Sequence, residues 1–330
     1  MVLEDKILSR YRRDFNWLNI MERQAFIHGI YPRSERLITS GRGLDRGRVS
    51  LEDHKKQERE DQEALVKLQL ENSLIFIEDG KFTWQDIFRP FAAFVDGLEL
   101  GQLTRWFDTN TFYRQPIITD NLLFDVEKFD AFVPEIPGVN QKVTLPSPLT
   151  FARLCTDTRG VSFPKTLSSI AGLMAETTAH LEKRGIKAIQ FNEPFAPYAG
   201  KEEDIDNLVK SLQEVSVKGV LSIVHLYFGD GAPFLRAFEE RDSSVDIVGV
   251  DFCRTNVSDV PKDFSKALLA GVLDSQSTLI EEKDRTERFI GRLDDQIKSQ
   301  SLYLTHNCDL EFVPSAIANQ KIKLLGELIR

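Results

Sequence analysis

Cysteine is scarce in this chain: there are three in 330 residues, Cys155, Cys253 and Cys308. An odd number, in a chain long enough to build its own core, argues against a disulfide framework. It leaves metal binding, reactivity or simple burial for the thiols. Long apolar runs are missing too. No stretch approaches the roughly 18 apolar residues of a membrane span. Met1–Arg13 is charged and lacks the apolar centre of a secretory signal, so a cytoplasmic protein is expected. Positive charge is in deficit, with 42 Lys and Arg against 51 Asp and Glu and a net charge of -9. Such an acidic chain is a poor ligand for a nucleic-acid backbone. A disorder signature is also lacking, since 42% of residues are hydrophobic and 28% charged. No internal repeat is found.

What is present is alternation. Short apolar runs that read as strands cover Ala25–Ile30, Ser73–Ile77, Lys142–Leu145, Ala188–Phe191, Leu221–Leu226, Ile247–Asp251, Leu268–Leu273 and Leu302–Leu304, with a further short one near Pro116–Thr119. Segments of helical period include Leu51–Leu70, Leu167–Lys183, Glu203–Val215, Ser277–Ile297 and Pro314–Ile329. Strand-helix alternation predicts βα units and a parallel sheet. Eight or nine strands suit an α/β fold of the (β/α)8 TIM-barrel type, one domain over residues 1–330 with an N-terminal extension at 1–24. Asp79–Gly138 breaks the rhythm. It is rich in aromatic and turn residues and is expected to be an elaborated insertion or loop after the second strand. The Gly-rich stretch Gly41–Gly47 lacks GxGxxG spacing and reads as a surface turn in preference to a phosphate loop.

In a parallel barrel, chemistry gathers at the C-terminal ends of the strands. Those ends carry His28-Gly29-Ile30-Tyr31, Asn192-Glu193-Pro194, His225-Leu226-Tyr227, Asp251-Phe252-Cys253 and His306-Asn307-Cys308-Asp309. Side chains two apart on a strand share a face, so Asp251 and Cys253 point into one mouth if the strand continues that far. His225, Asp251, Cys253 and Cys308 together make a ligand set suited to zinc, with a position left for a substrate thiol held as thiolate. Each has an ordinary role open to it as well, as an inert buried thiol or a hydrogen-bonded histidine. Cys155 has no partner nearby in sequence and reads as structural.

These residues resemble the catalytic C-terminal barrel of cobalamin-independent methionine synthases, in order from about residue 25 to the C-terminus. Gly29-Ile30-Tyr31-Pro32-Arg33-Ser34 resembles that family's Gly-Ser-Phe-Pro-Gln-Thr, and Asp79-Gly80-Lys81 its His-Gly-Glu. Leu145–Thr150 resembles a Gly-Pro-Val-Thr segment, and Ile189–Pro194 resembles Ile-Gln-Ile-Asp-Glu-Pro. His225 matches the histidine of its His-x-Cys zinc motif and Asp251 its zinc glutamate. Gly271–Ser275 resembles its Gly-Val-x-Asp strand, and Asn307–Leu310 resembles Pro-Asp-Cys-Gly-Leu, which holds another zinc cysteine. The resemblance is to the short, single-barrel type.

The resemblance implies methyl transfer to the thiol of homocysteine, with one zinc per chain and no catalytic residue beyond the metal-bound thiolate. Zinc is expected on His225, Cys253 and Cys308, with Asp251 as a ligand that swings away. Gly29, Ile30 and Tyr31 would receive the substrate carboxylate through backbone donors. Lys81, Asp86, Asn192, Glu193 and Asp274 complete the expected substrate site. The departures are Tyr227 in place of the second zinc-motif residue, with Cys253 as its replacement, Asn192 in place of an aspartate, Lys81 in place of a glutamate, and Gln276 in place of a histidine. The region near Leu154 lacks the family's folate-stacking tryptophan. The expected donor is therefore a methyl-corrinoid or other non-folate compound, with a corrinoid protein or accessory protein as the expected partner. Two alternatives stand beside this: a methyltransferase for another thiol such as coenzyme M, and a non-catalytic auxiliary homologue.

Overall fold

The computed structural model describes residues 23–241, 243–262, 264–297 and 301–330. Most of the expected N-terminal extension lies outside those residues. Seven strands form one all-parallel sheet: β1 (Gln24–Ala25), β4 (Lys142–Pro146), β6 (Ala188–Glu193), β7 (Leu221–Leu226), β8 (Ile247–Asp251), β9 (Ala267–Leu273) and β10 (Leu302–His306), in the order β1-β10-β9-β8-β7-β6-β4. The remaining three, β2 (Val95–Arg105), β3 (Phe112–Phe124) and β5 (Thr156–Asp157), make a second sheet.

The main sheet curls until its edges approach. Ile75 N donates to Ala25 O at 3.0 Å on one edge, and Ile77 N and Lys142 N exchange bonds with Asn140 O and Ile77 O at 3.0 Å on the other. Ser73–Ile77, expected as a strand, forms only an isolated bridge from Ile77 to Gln141 and links both edges. Inside the curl, Phe26, Phe76, Ala188, Ile223, Ile247, Leu269 and Tyr303 pack into an apolar layer, contributed by successive strands. The helices Phe163–Lys183, Glu202–Val215, Ala232–Glu240, Lys283–Gln296 and Ser315–Leu328 cover the outside with the larger core. Burial on both faces explains why β8 reads as an almost continuous apolar run.

Three expectations change. The strand predicted over Ala25–Ile30 ends at Ala25, because the chain turns at Gly29, whose φ is +73°. The Gly41–Gly47 stretch is no turn over most of its length: it lies largely in the helix Glu35–Asp45, started by Ser34 accepting from Leu37 N. Gly43 is needed there because a Cβ would sit 2.5 Å from Val49 Cγ2. Residues 79–138 are only partly irregular: helix and strand lie within 91–130, and 79–90 and 131–138 are turns and irregular chain. β2 and β3 form an antiparallel hairpin over an aromatic cluster of Phe88, Phe91, Phe94, Tyr113 and Phe151. Its tip folds over the C-terminal mouth of the curled sheet: Phe107 lies 4.9 Å from the Tyr198 ring and 5.4 Å from Phe228, and Tyr198 Oη donates to Asp108 at 2.8 Å.

No helix among the described residues is long and apolar enough to cross a membrane.

Candidate functional site

Alternation along the parallel strands stacks side chains in layers. Above the apolar layer, residues two further along each strand point inward: Gln190 above Ala188, His225 above Ile223, Gly249 above Ile247. This second layer is polar. Lys142 Nζ lies 2.6 Å from Glu78 Oε1 and donates to Thr144 Oγ1 and Gln190 Oε1 at 3.1 Å, with the Lys142 and Glu78 side chains 0% and 1% exposed. Gln190 Nε2 passes the chain of bonds to Asn192 Oδ1 at 2.9 Å.

At the mouth the network converges on Asp309. Its Oδ1 accepts from Ile30 N at 2.9 Å and Asn192 Nδ2 at 3.4 Å, and its Oδ2 accepts from Tyr227 Oη at 3.0 Å. Burial pushes the Asp309 carboxyl up to about 6. Beside it lie three buried histidines. The His28 ring is 4.2 Å from His306 and 4.4 Å from His225. His306 Nε2 accepts from His28 N and its Nδ1 faces Cys308 O, so His306 is the neutral Nδ1–H tautomer with both nitrogens used. Burial holds all three histidines neutral, with His306 pushed down to about 3. Several buried polar atoms here have no protein partner: His28 Nδ1, both ring nitrogens of His225, Asp251 Oδ2 and Ser275 Oγ. Such orphans are rare in folded proteins and mark places where a polar ligand or water belongs.

The structure redistributes the expected site. His225, Asp251 and Cys308 are all buried near the mouth. Cys253 lies at their edge, an exposed residue whose thiol still faces Asp251. β8 ends at Asp251, the chain turns, and Cys253 N folds back on Asp251 Oδ1 at 2.8 Å, leaving the Cys253 residue exposed. Its expected role as the replacement zinc thiolate is not supported. Among the described residues, no three His, Cys, Asp or Glu side chains converge so as to hold a metal ion. A catalytic zinc needs three protein ligands, and the fit fails at that count.

The expected carboxylate donors are occupied as well. Gly29 N donates to Thr144 Oγ1 at 3.3 Å, Ile30 N to Asp309, and Tyr31 N to Gly80 O at 3.0 Å. Glu193 has become a cap: its Oε1 accepts from Ala196 N at 2.7 Å and its Oε2 from Thr150 N and Ser147 Oγ. Asp86 accepts four bonds, from Phe88 N, Arg89 N, Arg89 Nε and Arg114 N, and so ties the hairpin to the segment before it. Lys81 is buried at φ +53° with its ammonium 4.0 Å over the Trp84 ring. Asn192 is at the centre of the mouth, as expected. Asp274 lies to one side, accepting from Gln276 N at 2.9 Å and lining a groove with Phe252, Leu279 and Arg285.

Sequence reasoning left His28, His306, Tyr227 and Asp309 without a role, and missed the Lys142–Glu78 pair. A signal existed: Lys142 and Thr144, and Gln190 and Asn192, put polar residues at i and i+2 in otherwise apolar strands, which requires a polar interior.

Between the hairpin tip and the mouth is a cavity lined by Ile30, Asp86, Trp106, Tyr113, Asp309 and Glu311. Burial, then Asp309, push the Glu311 carboxyl from 4.5 to about 8. Between those values the folded state keeps a proton that the unfolded state has lost. Stability therefore falls as pH rises through that window, by at most about 1.4 kcal/mol per unit. Thermal unfolding of Glu311→Gln should show a flatter decline between those limits; equal slopes in both proteins would exclude this assignment.

Known proteins place this geometry. Among solved structures of the same fold are the B12-independent methionine synthase of Shewanella sp. W3-18-1 in complex with selenomethionine, at 18% identity and TM-score 0.70 over 86% of this chain and 89% of that one. A putative B12-independent methionine synthase of Listeria monocytogenes has a TM-score of 0.70 at 15% identity, covering 94% of this chain and 98% of its own. In sequence, the methionine synthase of Sulfolobus acidocaldarius is 24% identical over 306 residues, 89% of this chain and 87% of that protein. The 5-methyltetrahydropteroyltriglutamate–homocysteine methyltransferase of Herpetosiphon aurantiacus is 24% identical over 239 residues, and the match takes in 31% of its length. The expected corrinoid donor does not agree with these relatives, which are cobalamin-independent or named for a folate-type donor. The family model for cobalamin-independent synthases that matches is the one described for their N-terminal domain, whereas the motifs resembled the C-terminal barrel. Because that model takes in residues 97–298, well over half of the sequence, the chain belongs to the cobalamin-independent synthase family.

Proposed function

We propose that this chain is a methyltransferase of the methionine-synthase type, which moves a methyl group from a folate-type donor to the thiol of homocysteine. Its 330 residues would act as a single barrel unit, with residues 79–138 as an elaboration that covers the mouth. The observation that carries the reading, beside the family match, is the placement of His225 and Asp251. They sit at the ends of adjacent strands, fully buried, with unpartnered atoms at the end of the sheet where barrel enzymes keep their chemistry.

The reaction needs the sulfur to lose its proton as it gains the methyl. The donor nitrogen keeps the electron pair of the broken N–C bond and takes up a proton. Asp251 Oδ2, on a carboxyl raised by burial to about 6, is the free acceptor at which the thiol proton can be received, with the neutral His225 ring on the adjacent strand. Asn192, held between Gln190 and Asp309, positions the polar end of the substrate. The hairpin tip around Phe107 excludes water from above. No step is assigned to zinc, for which the side chains present fall one ligand short.

Purified protein with homocysteine and isotopically methyl-labelled 5-methyltetrahydropteroyltriglutamate should form labelled methionine. Asp251→Asn should lower the rate by at least about 100-fold, the scale of a lost acid–base group. No labelled methionine above the blank would sink the reading. One observation favours a second reading, a non-catalytic auxiliary homologue: the amides of Gly29, Ile30 and Tyr31, expected to face substrate, are all bonded within the protein. That reading gains if calorimetry detects no homocysteine binding and no methionine forms.

A further inference from the structure

We infer that Tyr227 and Asp309 together have rebuilt the metal corner of this site, so that the chain holds no zinc. The resemblance places a zinc cysteine at position 227 and a glycine at position 309. Here those positions carry a phenol and a carboxylate that bond to each other at 3.0 Å. The two changes make one structural unit. Tyr227 is 1% exposed and its ring is wedged between His225, at 5.7 Å, and Phe228, at 4.8 Å. It fills space that a cysteine would leave open, and its hydroxyl needs a buried acceptor, which Asp309 supplies.

Asp309 is in turn fitted to the backbone opposite. Its Oδ1 accepts from Ile30 N, and it lies so close to Gly29 that a Cβ there would meet it at 1.5 Å. The other candidate ligands are committed or removed. His306 uses both nitrogens, and His28 Nε2 is engaged with His306 O at 3.2 Å. The Cys253 residue is exposed with its thiol turned to Asp251, and Cys308 Sγ donates to Asn307 Oδ1 at 3.4 Å. Free nitrogen and oxygen atoms remain on His225 and Asp251, and among the described residues no third His, Cys, Asp or Glu converges with them as catalytic zinc needs. A polar network has taken the place of a coordination sphere.

The inference concerns the same site as the methyltransferase reading but is measured without turnover, so the two can fail separately. Wild-type protein is equilibrated with micromolar zinc, dialysed without chelator and analysed for metal. Less than about 0.1 zinc per chain is expected from a two-ligand site. Half a zinc or more per chain, lost in Cys308→Ser, overturns the inference. The double variant Tyr227→Cys, Asp309→Gly, checked for folding by circular dichroism, should gain close to one zinc per chain. A folded double variant that still binds none would show that this pair is not what closes the corner, and would overturn the inference equally.

Discussion

Replacing Lys142 with methionine is expected to lower the free energy of unfolding by about 3–5 kcal/mol, the scale of breaking a buried ion pair. Lys142 and Glu78 are 2.6 Å apart with side chains 0% and 1% exposed, and the ammonium also serves Thr144 and Gln190. Methionine matches the length of the stem but carries no charge. Glu78 is then left as an uncompensated carboxylate in the middle of the sheet, where one of its oxygens already has no partner. The asymmetry gives the test its edge. Removing both partners, in Lys142→Met with Glu78→Leu, leaves no stranded charge and should return most of the loss. Denaturant titration of the three variants checks this. A loss below about 1 kcal/mol in Lys142→Met would mean that the pair is neutralised or hydrated, contrary to the geometry.

Gly29→Ala is expected to be nearly as damaging, at about 3 kcal/mol, for two separable reasons. The residue sits at φ +73°, where a side chain costs about 1 kcal/mol. Its Cβ would also overlap Asp309 Oδ1 at 1.5 Å, so the carboxylate must move and give up Ile30 N and Tyr227 Oη. Loss of buried bonds of this kind adds about 1–3 kcal/mol. Gly185→Ala supplies the control. Gly185 has φ +78°, but a Cβ there meets nothing within 4 Å, so only the backbone cost applies. Equal losses at the two glycines would show that Asp309 is not held against Gly29.

The two variants probe the layer that separates this barrel's apolar floor from its mouth, and that layer was only half legible in the sequence. β7 and β8 have the bounds that their apolar runs predict. Of the hairpin β2–β3 only Pro116–Thr119, inside β3, was legible. Its alternation is interrupted by Gly97 and Gly101 and by register shifts near both, so the period of two fails to accumulate. The helix Glu35–Asp45 was hidden by its own glycines, of which Gly43 packs closely against Val49.

The site divides along the same line. That His225, Asp251 and Cys308 would lie near one mouth followed from strand order, since parallel connections bring all C-terminal ends to one side. Local sequence also determined the buried character of these strands and the likeness to the family. Whether side chains at different strand ends touch was decided by tertiary structure alone. The turn after Asp251 sends Cys253 outward, Gly29 lets Asp309 approach, and Tyr227 claims the space between. Each depends on angstrom-scale distances between segments up to about 280 residues apart in the chain, as with Ile30 and Asp309. Periodicity fixes which face a side chain takes along its own strand; it carries no information on how far that side chain lies from one on another strand.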